Sequence, residues 1–96
     1  MSETTPLKVV TTGAYRRGAR RMARRGKDMG KLEAVLDVLV SRQVLPPAYV
    51  DHALTGDRRG FRDCHIEPDW VLIYKIDAGV LVLTLTDTGT HDDLGL

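Results

Sequence analysis

Three histidines, His52, His65 and His91, all fall in the second half of this 96-residue chain, and Asp69 follows His65 by four positions. Histidine is the side chain whose proton is loosely held near neutral pH. Two imidazoles, or an imidazole and a carboxylate, can supply a base and an acid to one reaction. RNA suits such a pair because it carries its own nucleophile, the 2′-hydroxyl. A base that takes that proton, an acid that protonates the departing 5′-oxygen and a cation that steadies the phosphate suffice to break the strand without a metal. Each proton-transfer group would be asked for about 10²–10⁴-fold in rate. Zinc is the rival use of such residues. The histidines are 13 and 26 residues apart with no H-x-x-x-H or C-x-x-C pair, which points away from it. The single cysteine, Cys64, excludes an internal disulfide framework. Strand alternation puts Cys64 on the face opposite His65, against a Cys–His nucleophile pair. The glycines spell no phosphate loop. Trp70 and Phe61 can stack on bases, although core packing is the commoner fate of each.

These groups need elements to position them. Leu7–Val10 reads as a first strand. A helix over 14–26 carries a narrow apolar stripe, Tyr15, Ala19 and Met22. Asp28 can cap a second helix over 29–42, whose Leu32, Val35, Leu36, Leu39 and Val40 form a wide core-facing stripe. The short connection predicts an antiparallel helical hairpin. Pro46-Pro47 ends the helical region, and 43–59 reads as a loop. Three strands follow: 60–66, 70–76 and 80–86, joined at Glu67-Pro68-Asp69 and Asp77-Ala78-Gly79, with 87–96 as a tail. The expected order is β-α-α-β-β-β, an α+β fold with an antiparallel sheet and the two helices packed on one face. Alternation puts Phe61, Asp63 and His65 on one side of their strand, and Arg62, Cys64 and Ile66 on the other. Because consecutive strands meet at their turn, His65 and Asp69 can face each other, and the tail can bring His91 over the same end of the sheet.

At this length, a single domain over 1–96 is expected. No apolar run approaches the roughly 18 residues of a membrane span, and MSETTPLK is not built like a signal peptide. A cytoplasmic protein with no membrane partner is therefore expected. The net charge of +1 hides an asymmetry. Residues 1–30 hold eight basic residues against Glu3 and Asp28, and the remainder is net acidic. Arg16, Arg20 and Arg24 form one basic row on the first helix, with Arg17, Arg21 and Arg25 beside it. Such a face steers a protein toward phosphate-rich partners, or is simply solvated.

Several motifs stand in order over residues 51–94: D-H-x-L-x-G, then G-F-R-D-C-H-I-E-P-D-W-V-L-I-Y-K, then T-G-T-H-x-x-L. This stretch, with K-D-M-x-K-L from Lys27 to Leu32, resembles the YafQ group of the RelE/ParE toxin superfamily. The resemblance implies a RelE-like fold and the toxin of a type II toxin–antitoxin pair. It implies a ribosome-dependent mRNA endoribonuclease that uses no metal or other cofactor. It implies as partners a DinJ/RelB-like antitoxin, the ribosome and mRNA, with operator DNA reached only through the antitoxin complex. By motif position, His52, His65, Asp69 and His91 correspond to the cleaving residues, with Asp63 and Trp70 beside them. His91 or Asp69 would handle the 2′-hydroxyl proton, and His65 the leaving group. Arg62 and the row Arg16, Arg20, Arg24 are the candidate RNA contacts. Two positions depart from the pattern. Asp87 stands where arginine usually precedes T-G-T-H, and Gly95 stands where an aromatic usually follows the leucine. Arg58, Arg59 and Arg62 are the cations that could take over, with Arg62 on the face away from His65. The alternative is a catalytically attenuated homologue that binds antitoxin or ribosome.

Overall fold

Two polar side chains start the two long helices. Thr12 accepts from the amide of Tyr15 at 3.0 Å and opens helix α1, Gly13–Arg24. Asp28 accepts from the amide of Gly30 at 2.9 Å and opens α2, Met29–Val40. Each cap satisfies a donor that the helix itself leaves orphaned. A computed structural model describes residues 5–96; the reading of the N-terminus rests partly on residues 1–4, which lie outside them. The strands are β1 (Lys8–Thr11), β2 (His52–Ala53), β3 (Arg62–Glu67), β4 (Trp70–Asp77) and β5 (Val82–Gly89). A last short helix, α3, spans His91–Leu94. The sheet order is β1-β5-β4-β3-β2.

The α+β architecture matches the expectation, with three differences. First, β1 runs parallel to β5, so the sheet is mixed rather than antiparallel throughout. Alternation says nothing about strand direction, and the long connection that a parallel pair requires is supplied by the chain between the two strands. Second, the segment read as a loop contains β2, which pairs with β3 through His52↔Asp63 and Ala53↔Arg62. Third, β5 runs on to Gly89 and the tail folds into α3.

The sheet has two unequal faces. Tyr15, Met22, Leu32, Val35 and Leu39 of the helices pack on Cys64, Ile66, Trp70, Leu72, Tyr74, Leu83 and Leu85 in the main core. α1 lies against β5. Its Gly18 makes that approach possible, since a Cβ there would stand 2.1 Å from the carbonyl oxygen of Thr88. The opposite face has a small core of Val71, Ile73 and Leu94, flanked by Leu54 and Phe61. A shift between Ile73↔Asp87 and Tyr74↔Leu85 leaves Thr86 as the extra residue of a bulge. The bulge inverts the alternation of β5 beyond it. Thr88 therefore joins the helix-side core, and Asp87 joins the face that α3 only partly covers. No helix among the described residues is long and apolar enough to cross a membrane.

Candidate active site

Residues paired across neighbouring strands share a face, so register assembles the site. His52 opposes Asp63, Asp63 opposes Ile73, and Ile73 opposes Asp87. One step along, His65 opposes Val71. All six lie on the face away from α1 and α2. His52 and His65 are diagonal neighbours, with Cα atoms about 7–8 Å apart by sheet geometry.

α3 brings the third imidazole. Thr90 caps this helix, and Thr90 and Asp93 form a reciprocal capping box that places His91 at its first position. Asp69, in the β3–β4 turn, receives both donors of His91 on one oxygen: the backbone amide at 2.9 Å and ring Nδ1 at 2.6 Å. The backbone amide is the first cause and the ring the second that hold the Asp69 carboxyl below its ordinary pKa. The His65 and His91 rings meet edge to face, with centroids 5.2 Å apart and planes at 78°. Asp69, His91 and His65 thus form one continuous group over the end of the sheet.

The tautomers follow from the partners. Val50 presents a carbonyl oxygen 2.8 Å from Nδ1 of His52. A carbonyl only accepts, so that nitrogen carries the proton and Nε2 keeps its lone pair. Asp63 Oδ1 is 3.1 Å from the same nitrogen but otherwise has no hydrogen bond, although it is buried. In the same way Asp69 fixes Nδ1 of His91 as the donor and leaves its Nε2 for a substrate. Two imidazoles with Nε2 lone pairs not engaged by these contacts, and His65 against one of them, can move protons in both directions.

α3 is held through its last two residues. Arg25 of the α1–α2 connection reaches Asp93 at 2.8 Å, with Arg21 at 3.9 Å. Arg58 donates to the carbonyl of Leu94 at 2.7 Å. Neither clamp was evident from the sequence, because each joins distant segments through exposed-looking charges.

Two expected contacts are not brought to this group. Trp70 is fully buried on the helix side, where its Nε1–H donates to Thr88 Oγ1 at 3.0 Å, so its ring is a core element and not a stacking surface. Arg62 points to the same side and grips Asp51 through Nε at 2.7 Å. Asp63 is on the site face, as expected. Arg16, Arg20 and Arg24 line the exposed side of α1, where Arg16 also donates to the Thr11 carbonyl at 3.0 Å. The Cys64 thiol is pushed up to about 12, first by burial and then by the carboxylates of Asp51 and Asp63, so it is no nucleophile. Among the described residues no group of three His, Cys, Asp or Glu is placed to hold a metal ion. A cavity of about 450 Å³ adjoins His65, lined also by Tyr49, Val50, Glu67 and Pro68.

Comparison with known proteins gives the same answer from sequence and from shape. A family described as "Bacterial toxin of type II toxin-antitoxin system, YafQ" matches residues 7–95. The mRNA interferase toxin YafQ of Escherichia coli strain K12 is 41% identical over 81 residues, which is 83% of this chain and 86% of that protein. The crystal structure of YafQ from E. coli BL21(DE3) superposes with a TM-score of 0.86 at 35% identity, covering 92% of this chain and 97% of the other. The toxin in the E. coli DinJ–YafQ toxin–antitoxin complex gives 0.85 at 38% identity, covering 93% and 97%.

Proposed function

We propose that this chain, which belongs to the bacterial YafQ family of toxins from type II toxin–antitoxin systems, is an mRNA endonuclease that acts on the ribosome. The observation that supports this most is the Asp69–His91–His65 group, with His52 on the same face. His91 is the base. Its Nε2 takes the 2′-hydroxyl proton while Asp69 holds the ring and stabilises the imidazolium that forms. Asp69 itself is the poorer base, since its carboxyl is held low and its oxygen is already occupied. The freed 2′-oxygen bonds to the adjacent phosphorus, and the P–O5′ bond breaks. His65 gives its proton to the departing 5′-oxygen. The products are a 2′,3′-cyclic phosphate and a 5′-hydroxyl end. His52, with Nε2 outward, steadies the phosphate across the groove when protonated.

The partners follow from the same reading. A DinJ-like antitoxin binds the chain, and operator DNA is reached only through that complex. In this reading the exposed row Arg16, Arg20 and Arg24 meets ribosomal RNA, and the protein works in the cytoplasm. Expression without antitoxin should arrest growth and cut translated mRNA. His65→Ala and His91→Ala should each lower cutting by about 10²–10⁴-fold. Undiminished cutting by either variant would overturn the assignment.

Asp87 favours a second reading. It stands on the site face opposite Ile73 and adds a third carboxylate where a phosphate would approach. A weakened nuclease retained for antitoxin or ribosome binding should gain toxicity on Asp87→Arg. Gly95 is no equivalent position for repair, because it closes α3 at φ 69°, where an aromatic side chain would be strained.

A further inference from the structure

We infer that Asp51, gripped from the helix side of the sheet by Tyr74 and Arg62, is a positioning residue that fixes the imidazole of His52 in one tautomer and one orientation. This deepens the reading of His52 given above and rests on it.

β2 has only two residues, and its pairing to β3 ends at His52↔Asp63. So short a strand does not hold an edge position unaided. Val50, two residues before His52, lies at φ 49° and ψ 43°. That is the left-handed region, and a β-branched side chain there is a genuine outlier that persists only when its surroundings impose it. The imposed turn has a visible result, since it aims the Val50 carbonyl at Nδ1 of His52.

Asp51, between them, supplies the constraint. Its side chain points to the face opposite His52 and collects three donors. Arg62 gives Nε and Nη2, each at 2.7 Å, and the Tyr74 hydroxyl gives the third. Arg62 and Tyr74 are themselves a cross-strand pair on β3 and β4, so the grip is anchored to the centre of the sheet. Burial, followed by the Asp51 carboxylate, raises the Tyr74 pKa and keeps the phenol a donor. The carboxylate raises the Arg62 pKa as well. Nothing in the arrangement touches a substrate. It acts through one peptide unit, by setting where Val50 points and therefore where the His52 proton sits.

Tyr74→Phe tests this, since it keeps the ring in the core and deletes only the hydroxyl. Nitrogen-15 NMR of the purified chain reads the His52 tautomer directly, with His65 and His91 as internal controls. The expected result is a His52 that changes from a single Nδ1–H form to a mixture, with the other two histidines unchanged. In the ribosomal cleavage reaction kcat should fall about 10–100-fold with KM unaltered, the range seen when the outer partners that orient metal-bound imidazoles are removed. Arg62→Gln, at an exposed position, should change both readouts in the same direction, and it decides the matter if Tyr74→Phe does not fold. A His52 spectrum and kcat that stay at wild-type values in the folded variants would overturn the proposal, even if thermal stability drops. A wild-type chain that cuts no mRNA would instead overturn the nuclease reading, while the tautomer measurement would still judge the grip.

Discussion

Gly18→Ala is a one-carbon change that should loosen the fold and the site together. A Cβ at Gly18 would lie 2.1 Å from the Thr88 carbonyl oxygen, 3.2 Å from its carbonyl carbon and 3.3 Å from its Cγ2. Ordinary van der Waals separation begins near 3.4 Å, so α1 must retreat by more than an ångström or Thr88 must move. Thr88 is poorly placed to move, because its hydroxyl bridges Trp70 Nε1 and the Val71 carbonyl inside the core. Overpacking of this kind costs about 1–3 kcal/mol. The better helix propensity of alanine returns up to about 1 kcal/mol. A 2.1 Å clash on backbone belongs at the upper end of that range, so a net loss of about 2 kcal/mol remains, which should lower Tm by about 8–16 °C in a domain of this size. The retreat also carries Arg21 and Arg25 away from Asp93, so α3 and His91 should lose their clamp and cleavage should fall more than the folded fraction does. Gly13→Ala is the control, since its Cβ would meet only flexible guanidinium ends, that of Arg17 at 3.1 Å and that of Arg16 at 3.8 Å. Thermal unfolding by circular dichroism gives the answer. A Gly18→Ala protein that melts at or above the wild-type temperature would refute this reasoning.

Three further outcomes are expected. Trp70→Phe removes the donor to Thr88 and should cost about 1 kcal/mol in chemical denaturation. Cleavage per folded molecule should persist, because the ring does not reach the site face. The Asp93 carboxyl is held below its ordinary pKa, first by Arg25 and then by the Thr90 amide. Its contribution to stability is therefore present above the unfolded carboxylate value of about 3.9 and drains away as pH falls below it. Asp93→Asn should flatten that acid limb, as followed by unfolding between neutral and acid pH. Replacing Arg16, Arg20 and Arg24 with glutamine should weaken ribosome binding and reduce its dependence on log salt by about 0.7–0.9 for each phosphate that is no longer neutralised. An unaltered slope in a binding assay would leave that row a solvated face.

What could be read from the sequence was local. The Asp28 cap, the helix stripes and the Glu67-Pro68-Asp69 turn are each decided within a few residues, and each appears in the structure. β2 escaped notice because two residues show no alternation, and α3 because four residues show no stripe. The direction of β1 is invisible to a pattern that reads the same both ways. Within the site, the meander itself predicted that His65 and Asp69 would lie near one another, and the tail was expected to return His91 to them. The grouping of His91 with both is what the structure displays. Trp70 could stack on a base or pack in the core by its type and place, and the structure shows the core. Its true partner, Thr88, reaches the core only through the bulge at Thr86, which inverts the parity of β5. The Asp51–Tyr74–Arg62 grip depends on register between three strands, and no spacing along the chain encodes it.

The central claim is that these imidazoles let the RNA cut itself through its own 2′-hydroxyl. A purified translation system programmed with an mRNA that the protein cuts at a known position tests it directly. One deoxynucleotide is placed on the 5′ side of the cut phosphate. Cutting at that position should disappear, while the all-ribose message should yield a 2′,3′-cyclic phosphate end. Equal cutting of both messages would contradict the account.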